Sequence, residues 1–339
     1  MQKLRLTFEA TRMVLFLSRS DVESLVNMNE AIQAVESAFL EQHQGKVVCP
    51  KRLIISVDKH EGFAYYMPAY LSGTESLAVK IVTQFEGNLK IGLPTILASI
   101  LLNDPENGKP LALMDGTIIT ATRTGAASAV ATKYLARKDS SVIGVLGTGG
   151  QAKAQVRGLR EVLKNMTRIK VYDIMPNRAG QFADSVSREL SLTVEIAETS
   201  RQCVENSDVI VLATTSRVPV LDGDWITVGT HVNSIGVVGP DGRELDDKTV
   251  RKAKIVVDTI EGALAETGDL IIPIKNGVIS QNNIYAELHE IVSQEKPGRA
   301  SQTETTCWKA VGLALEDAAV AKMVYLKARE EGIGKEFEI

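Results

Sequence analysis

Ser140-Ser141-Val142-Ile143-Gly144-Val145-Leu146-Gly147-Thr148-Gly149-Gly150-Gln151-Ala152 is the most informative stretch of this chain. Val142 to Leu146 is an apolar run of strand length, broken by Gly147 to Ala152, which fits G-x-G-x-x-G/A. A helix-compatible segment follows through Leu163, and a second apolar run, Ile169-Lys170-Val171-Tyr172, stops at Asp173. Strand, glycine turn, helix, strand and acid in that order are the fingerprint of a dinucleotide-binding unit. Gly147 permits the tight turn, Gly149 lets the backbone approach a pyrophosphate, and Ala152 lets the helix pack closely. The helix N-terminus offers free N–H groups and the positive end of its dipole to the phosphates. Asp173 is placed to accept hydrogen bonds from ribose hydroxyls, which favours NAD and repels the 2′-phosphate of NADP.

Downstream, strands alternate with helices: Val142, Ile169, Thr193, Val209, His231 and Ile255 each begin or lie near a strand. That alternation predicts a doubly wound parallel sheet. Upstream, residues 1–12 form a polar lead and Val14 to Leu17 reads as a strand. Ser20-Asp21-Val22-Glu23 and Asn27-Met28-Asn29-Glu30 both fit helix starts of the capping-box type. Leu53 to Val57 and Phe63 to Met67 read as a hairpin, followed by strands over Leu77–Thr83, Thr95–Leu102 and Leu111–Met114. This first region reads as antiparallel α+β. A helix of small residues opens at Arg123, and a final helix is expected over about Glu304 to Glu330. That last helix is read as returning to the N-terminal region. The expected fold is therefore α/β: a Rossmann domain over 123–303, inserted into a discontinuous α+β domain of 1–122 plus 304–339.

The 339 residues suffice for two domains, and a net charge of -4 with a pI near 5.8 gives no basic footprint for nucleic acid. Cys49, Cys203 and Cys307 lie far apart without metal-ligand spacing, so no metal is expected and reduced thiols point to a cytoplasmic protein. Thr95 to Leu102 is too short to span a bilayer, so no membrane association is expected.

Lys80 interrupts Leu77-Ala78-Val79-Lys80-Ile81-Val82, where strand alternation puts it on one face with Ala78 and Val82. A desolvated lysine there can transfer a proton or bind a carboxylate; the plainer reading is a solvated lysine on an edge strand. Arg52 could hold a carboxylate bidentately, or simply be a surface charge at a strand end. Arg123, at the expected helix start, could reach cofactor phosphates or substrate, or anchor a linker. Thr214-Thr215-Ser216 follows the strand Val209 to Ala213, at the carboxyl end where small polar residues line a ligand crevice, or forms an ordinary turn. Asn233 and Ser234 occupy the same kind of place after the next strand, with His231 beside them as a minor candidate. Lys309, expected early in the last helix, could approach the nicotinamide region or lie in solvent. The four histidines show neither triad nor metal spacing, and Cys307 lacks a paired base.

Together these residues identify a resemblance. Met67-Pro68-Ala69, Leu77 to Lys80, Gly92-Leu93-Pro94-Thr95, Arg123-Thr124-Gly125-Ala126-Ala127, Gly147 to Ala152, Gly229 to Gly236 and Val311 to Asp317 resemble the ornithine cyclodeaminase/mu-crystallin family. That family includes archaeal-type alanine dehydrogenases and ketimine reductases. The resemblance implies a homodimer, with the N-terminal region and last helix forming a substrate-binding and dimerisation domain. It implies a catalytic Lys80, a substrate site of Arg52, Lys80, Arg123 and Met67, and cofactor contacts at Gly150, Gln151 and Asp173. Arg123, Thr124, Gly147, Gly149, Ala152, Thr214, Thr215, Ser216, Val238 and Lys309 complete the expected cofactor side.

One position departs from the family pattern. Cyclodeaminases and alanine dehydrogenases carry G-x-D-x-P, with the aspartate beside the substrate amine; here Gly236-Val237-Val238-Gly239-Pro240 places a valine there. Pro240-Asp241-Gly242-Arg243-Glu244-Leu245 is more like the ketimine-reducing branch, whereas Asp173 and Lys254 to Asp258 resemble the NAD-using alanine dehydrogenases. The expected activity is NAD(P)-dependent oxidation or reduction at the C–N bond of a small amino or imino acid, with NAD as cofactor and NADP as the variant. The alternatives are ornithine or lysine cyclodeamination with bound NAD, and a non-catalytic NAD(P)H- or ligand-binding protein.

Overall fold

The computed structural model describes residues 13–338, so the polar lead read over residues 1–12 lies outside the described residues. After strand β1 (Met13–Leu17), helix α1 (Arg19–Leu25) starts at Ser18 and not at Ser20: the Ser18 hydroxyl accepts the Asp21 N–H, and Asp21 returns a bond to the Ser18 N–H. Asn27 caps α2 (Met28–His43), which buries Ile32, Val35, Ala38 and Phe39. The strands β2 (Val47–Val48), β3 (Leu53–Val57), β4 (Gly62–Leu71), β5 (Ser76–Phe85), β6 (Ile96–Asn103) and β7 (Pro110–Asp115) then form most of one sheet. The antiparallel reading of this region needs one correction: β1 joins β7 in parallel, so the sheet is mixed.

Helix α3 (Gly116–Leu135) begins before Arg123, with the Asp115 carboxylate accepting the Ile118 N–H. Thr117-Ile118-Ile119-Thr120 conceals this start in the sequence, because β-branched residues have low intrinsic helix propensity. Arg123 is thus interior to a helix.

Next come β8 (Val142–Leu146), α4 (Ala152–Val162), β9 (Arg168–Tyr172), α5 (Pro176–Leu190), β10 (Thr193–Ile196), α6 (Ser200–Val204), β11 (Val209–Leu212), β12 (His231–Ser234), α7 (Asp247–Lys252), β13 (Lys254–Val257), α8 (Ile260–Glu266), α9 (Gly268–Lys275), β14 (Ile284–Glu287), α10 (Leu288–Val292) and β15 (Thr306–Lys309). They build an eight-stranded sheet in the order β10-β9-β8-β11-β12-β15-β13-β14, paired in parallel throughout. Its central strands β8, β11, β12, β15 and β13 are buried on both sides, as crossover helices require, while the edge strand β10 is largely exposed. Val209 and Val211 pack with Ile143, Val145, Leu159 and Ile169, while Ile210 and Leu212 pack with Val232, Ile255 and Val257 on the opposite face.

Residues 306–309 correct the expected last helix. Thr306-Cys307-Trp308-Lys309 is a fully buried strand between β12 and β13, and helix α11 (Ala314–Glu331) starts only after Gly312, whose φ is +82°. α11 packs on α2, β4 and β5, and β16 (Lys335–Glu338) pairs antiparallel with β1. The chain divides into two compact units, one of residues 1–123 with 313–339 and one of 124–312. Among the described residues no helix is long and apolar enough to cross a membrane.

Candidate nucleotide crevice and buried acid–base cluster

In the 124–312 unit the turn between β8 and α4 opens onto a cavity of about 380 Å³. Gly147 has φ +88°, and a Cβ there would lie 2.6 Å from the Ala213 carbonyl oxygen, so the turn admits only glycine without rearrangement. A Cβ on Gly149 or Gly150 would meet nothing within 4 Å: the backbone faces open space, as approach to a pyrophosphate requires. No side chain caps α4 at Gln151, and Gln151 Oε1 is buried with no hydrogen-bond partner among the described residues. The start of α4 thus retains donor capacity for an anion.

Asp173, at the carboxyl end of β9, closes the cavity's other side. Its Oδ2 accepts the Thr148 N–H at 2.8 Å and the Thr148 hydroxyl at 2.7 Å, and Oδ1 accepts the Met175 N–H at 2.9 Å. Partial burial works to raise its pKa, but the bonds from Met175 and Thr148, helped by Arg178, hold the carboxyl below its usual range. It is ionised at neutral pH.

Gly147, Gly149, Asp173, Thr214, Thr215 and Ser216 line the cavity together, as their placement at strand carboxyl ends predicts. Tyr172, Ile174, Met175 and Arg178 line it as well; the sequence gives them no ligand role, although Tyr172 and Ile174 flank Asp173 directly. Gly150, Gln151 and Ala152 form the turn and helix start behind this wall. Thr124 lies in α3, and Val238 is half-exposed on the loop after β12. Lys309 is neither helical nor solvated: it is fully buried on β15, 2.7 Å from Asp269 Oδ2, and donates to the Val237 carbonyl at 3.0 Å. Asn233 and Ser234 lie inside β12, not beyond it, and His231 opens that strand. His231 bonds Thr306 and Asn233, and burial, with Arg299 nearby, pushes its pKa down to about 3, so it is a neutral brace.

The other unit carries a buried ionic cluster. Lys80 sits on β5 between Met67 of β4 and Ile100 of β6 and is only 2% exposed, which overturns the edge-strand reading. Its ammonium lies 2.7 Å from Asp317 Oδ2 at the start of α11. Arg123 reaches the same carboxylate, Nε to Oδ1 at 3.0 Å, and donates through Nη1 to Glu316 Oε2 at 2.8 Å. Burial pushes the Lys80 pKa down to about 8; Asp317 opposes that, while Arg123 and the half-buried Arg52 add to it. Asp317 and Glu316 went unassigned because nothing local in the sequence marks carboxylates whose partners lie at the other end of the chain. The thiols are no rivals as nucleophiles: burial raises Cys49, and pushes Cys203 and Cys307 up to about 12.

A parallel sheet with a glycine turn, a helix start free of side-chain caps and an ionised acid after the next strand defines a Rossmann-type nucleotide-binding protein. The model of the ornithine cyclodeaminase/mu-crystallin family matches residues 12–332, and the chain belongs to that family. Alanine dehydrogenase of Archaeoglobus fulgidus is 41% identical over 325 residues, which cover 96% of this chain and 98% of that one. Among solved structures, Thermococcus litoralis Δ(1)-pyrroline-2-carboxylate reductase in complex with NADH and L-proline matches with a TM-score of 0.93 at 55% identity, over 95% of this chain and 99% of that chain. An archaeal alanine dehydrogenase dimer with bound NAD matches with a TM-score of 0.91 at 38% identity, over 96% and 99%.

Proposed function

We propose that this chain is an NADH-dependent reductase of small imino acids, acting by preference on a cyclic imine of the Δ1-pyrroline-2-carboxylate class. The observation that carries the reading is the buried Lys80–Asp317 pair, which offers a proton donor beside cationic groups suited to a carboxylate. The 55% identity to a pyrroline-2-carboxylate reductase supports the substrate class. Val238 supports it further, because a valine cannot bind the free ammonium of ornithine or alanine, and a cyclic imine carries none.

The crevice residues fit the cofactor. Gly147, Gly149, Gly150 and the start of α4 would hold the pyrophosphate, with Gln151 and Ala152 behind it, and Asp173 the adenosine ribose, which favours NAD over NADP. When bound, NADH supplies a hydride to the imine carbon. The protein's part is to bind, orient and protonate. Arg52 and Lys80 hold the substrate carboxylate, Met67 bounds the pocket, and Arg123 fixes Asp317 so that Lys80 keeps one orientation. Below pH 8 Lys80 is charged and delivers a proton to the imine nitrogen, so the C=N bond gains hydride on carbon and proton on nitrogen. Val238 and Thr124 belong to the cofactor side of this reading.

We propose a homodimer through the 1–123/313–339 unit, supported by the exposed apolar side chains Leu53, Ile54, Ile55, Phe63 and Ile81 on β3 to β5. A cytoplasmic location is in keeping with the free thiols of Cys49, Cys203 and Cys307. The test is a panel monitored at the NADH absorbance band with Δ1-pyrroline-2-carboxylate, pyruvate plus ammonia, and ornithine. The cyclic imine is expected to consume NADH fastest. Release of ammonia from ornithine without net NADH change makes the chain a cyclodeaminase, and inertness toward the whole panel makes it a binding protein.

A further inference from the structure

Two loops leave the parallel sheet beside the crevice, and their first N–H groups need acceptors outside it. The loop after β11 presents Thr214, Thr215 and Ser216 to the cavity; the loop after β12 runs through Gly236 and Val237 to Val238. One carboxylate serves both. Glu244 Oε1 accepts the Thr214 N–H at 2.8 Å and the Thr214 hydroxyl at 2.7 Å. Its Oε2 accepts the N–H groups of Gly236 at 2.9 Å and Val237 at 3.4 Å, with the Ser234 hydroxyl at 3.5 Å. The side chain is fully buried. Gly236 shows how tightly the loops close on it: a Cβ there would lie 2.3 Å from the Thr214 carbonyl oxygen and 2.4 Å from Glu244 Oε1.

Glu244 is itself held in place. Its N–H and that of Leu245 donate to Asp269 Oδ1 at 2.7 and 2.8 Å, and Asp269 Oδ2 pairs with Lys309 at 2.7 Å. Lys309 donates to the Val237 carbonyl, so Val237 is fixed at its N–H by Glu244 and at its C=O by Lys309. Burial pushes the Glu244 pKa up; Lys309 opposes that and Asp269 adds to it. The network spends a buried carboxylate on donors that belong to the two crevice loops and the end of β12.

We propose that Glu244 is a positioning residue for the nucleotide: its carboxylate sets the spacing between the loops after β11 and β12 and thereby shapes the seat of NADH. The proposal rests on reading the crevice as an NADH site. Glu244→Gln keeps the size of the side chain and one acceptor oxygen but turns the other into a donor, which faces N–H groups it cannot satisfy. One loop loses its tether while the apolar core is untouched.

The experiment titrates NADH by fluorescence into wild type, E244Q, Thr214→Val and the double variant, with a thermal melt of each. E244Q is expected to raise the NADH Kd about tenfold, and T214V about fivefold by removing the hydroxyl bond to Glu244. The double variant is expected to weaken binding by less than the product of the two, because both changes cut the same tether. Equal affinity of E244Q and wild type, or fully multiplicative effects, overturns the assignment. If E244Q does not fold, T214V decides: an NADH Kd raised about fivefold with an unchanged melt is expected, and wild-type affinity of T214V overturns the proposal. Absence of NADH binding by the wild-type chain overturns the NADH reading itself, an outcome distinct from loss of the Glu244 assignment alone.

Discussion

The Lys80 ammonium and the Asp317 carboxylate stand 2.7 Å apart with both side chains 1% exposed. A lysine on a central strand and an acid in the first turn of the last helix thus form one buried pair, and Arg123 shares the acid. A buried ion pair contributes little net stability for its desolvation cost, so this one is better explained by what it does to Lys80. Asp317 keeps the ammonium charged against burial and holds it in a single direction.

Replacing Lys80 by methionine removes the proposed proton donor while keeping a long apolar stem. Turnover with the cyclic imine is expected to fall by about 10²- to 10⁴-fold. The NADH Kd from fluorescence titration is expected to stay within about threefold, since no residue that lines the crevice is changed. Near-normal kcat in Lys80→Met removes Lys80 from the mechanism.

The pH dependence follows from the same pair. If Lys80 is the proposed acid, with burial pushing its pKa down to about 8, kcat/KM for imine reduction is expected to decline as pH rises through about 8. Asp317 raises that pKa; Asp317→Asn therefore shifts the alkaline limb to lower pH. The variant also leaves Lys80 and Arg123 without their shared anion, and a loss of about 3–5 kcal/mol in stability is expected by thermal or urea melting. An unmoved alkaline limb in a folded D317N enzyme contradicts the pairing argument.

Asp173 tests the cofactor choice. Its ionised carboxylate repels a 2′-phosphate, and Arg178 lines the same cavity. Asp173→Ser is expected to raise the NADPH-to-NADH ratio of kcat/KM by about tenfold or more, because a like-charge contact is removed beside a cation. A ratio unchanged by the substitution places the ribose elsewhere.

Gly147 tests the turn. With φ at +88° and the Ala213 carbonyl 2.6 Å from an added Cβ, Gly147→Ala is expected to lose about 1–3 kcal/mol of stability and to weaken NADH binding at least tenfold. A variant that melts and binds as wild type shows that the turn tolerates a side chain.

The parts of this molecule that were legible in the sequence are local. Gly147 to Ala152, Asp173 and Thr214 to Ser216 lie where strand, turn and helix follow one another along the chain, and the cavity gathers most of them. Alternation alone puts Lys80 on one face with Ala78 and Val82, but gives neither its burial nor its central strand, because strand order is a long-range property. Two elements were misplaced for identifiable reasons. The threonine- and isoleucine-rich start of α3 lacks local helix propensity, and Thr306–Lys309 precedes a helical pattern from which Gly312 separates it. Asp317, Glu244 and Asp269 stayed unassigned because each draws its meaning from partners that only the tertiary fold supplies.

Isotope transfer shows whether this enzyme carries out net reduction at a C=N bond. Wild-type enzyme is incubated with Δ1-pyrroline-2-carboxylate and NADH carrying deuterium at both C4 positions, and the product is analysed by mass spectrometry and NMR. One deuterium is expected on the α-carbon of the resulting proline, with one NADH consumed per proline formed. Failure to consume NADH with this imine, while ornithine is converted to proline and ammonia without net change in NADH, would contradict net reduction.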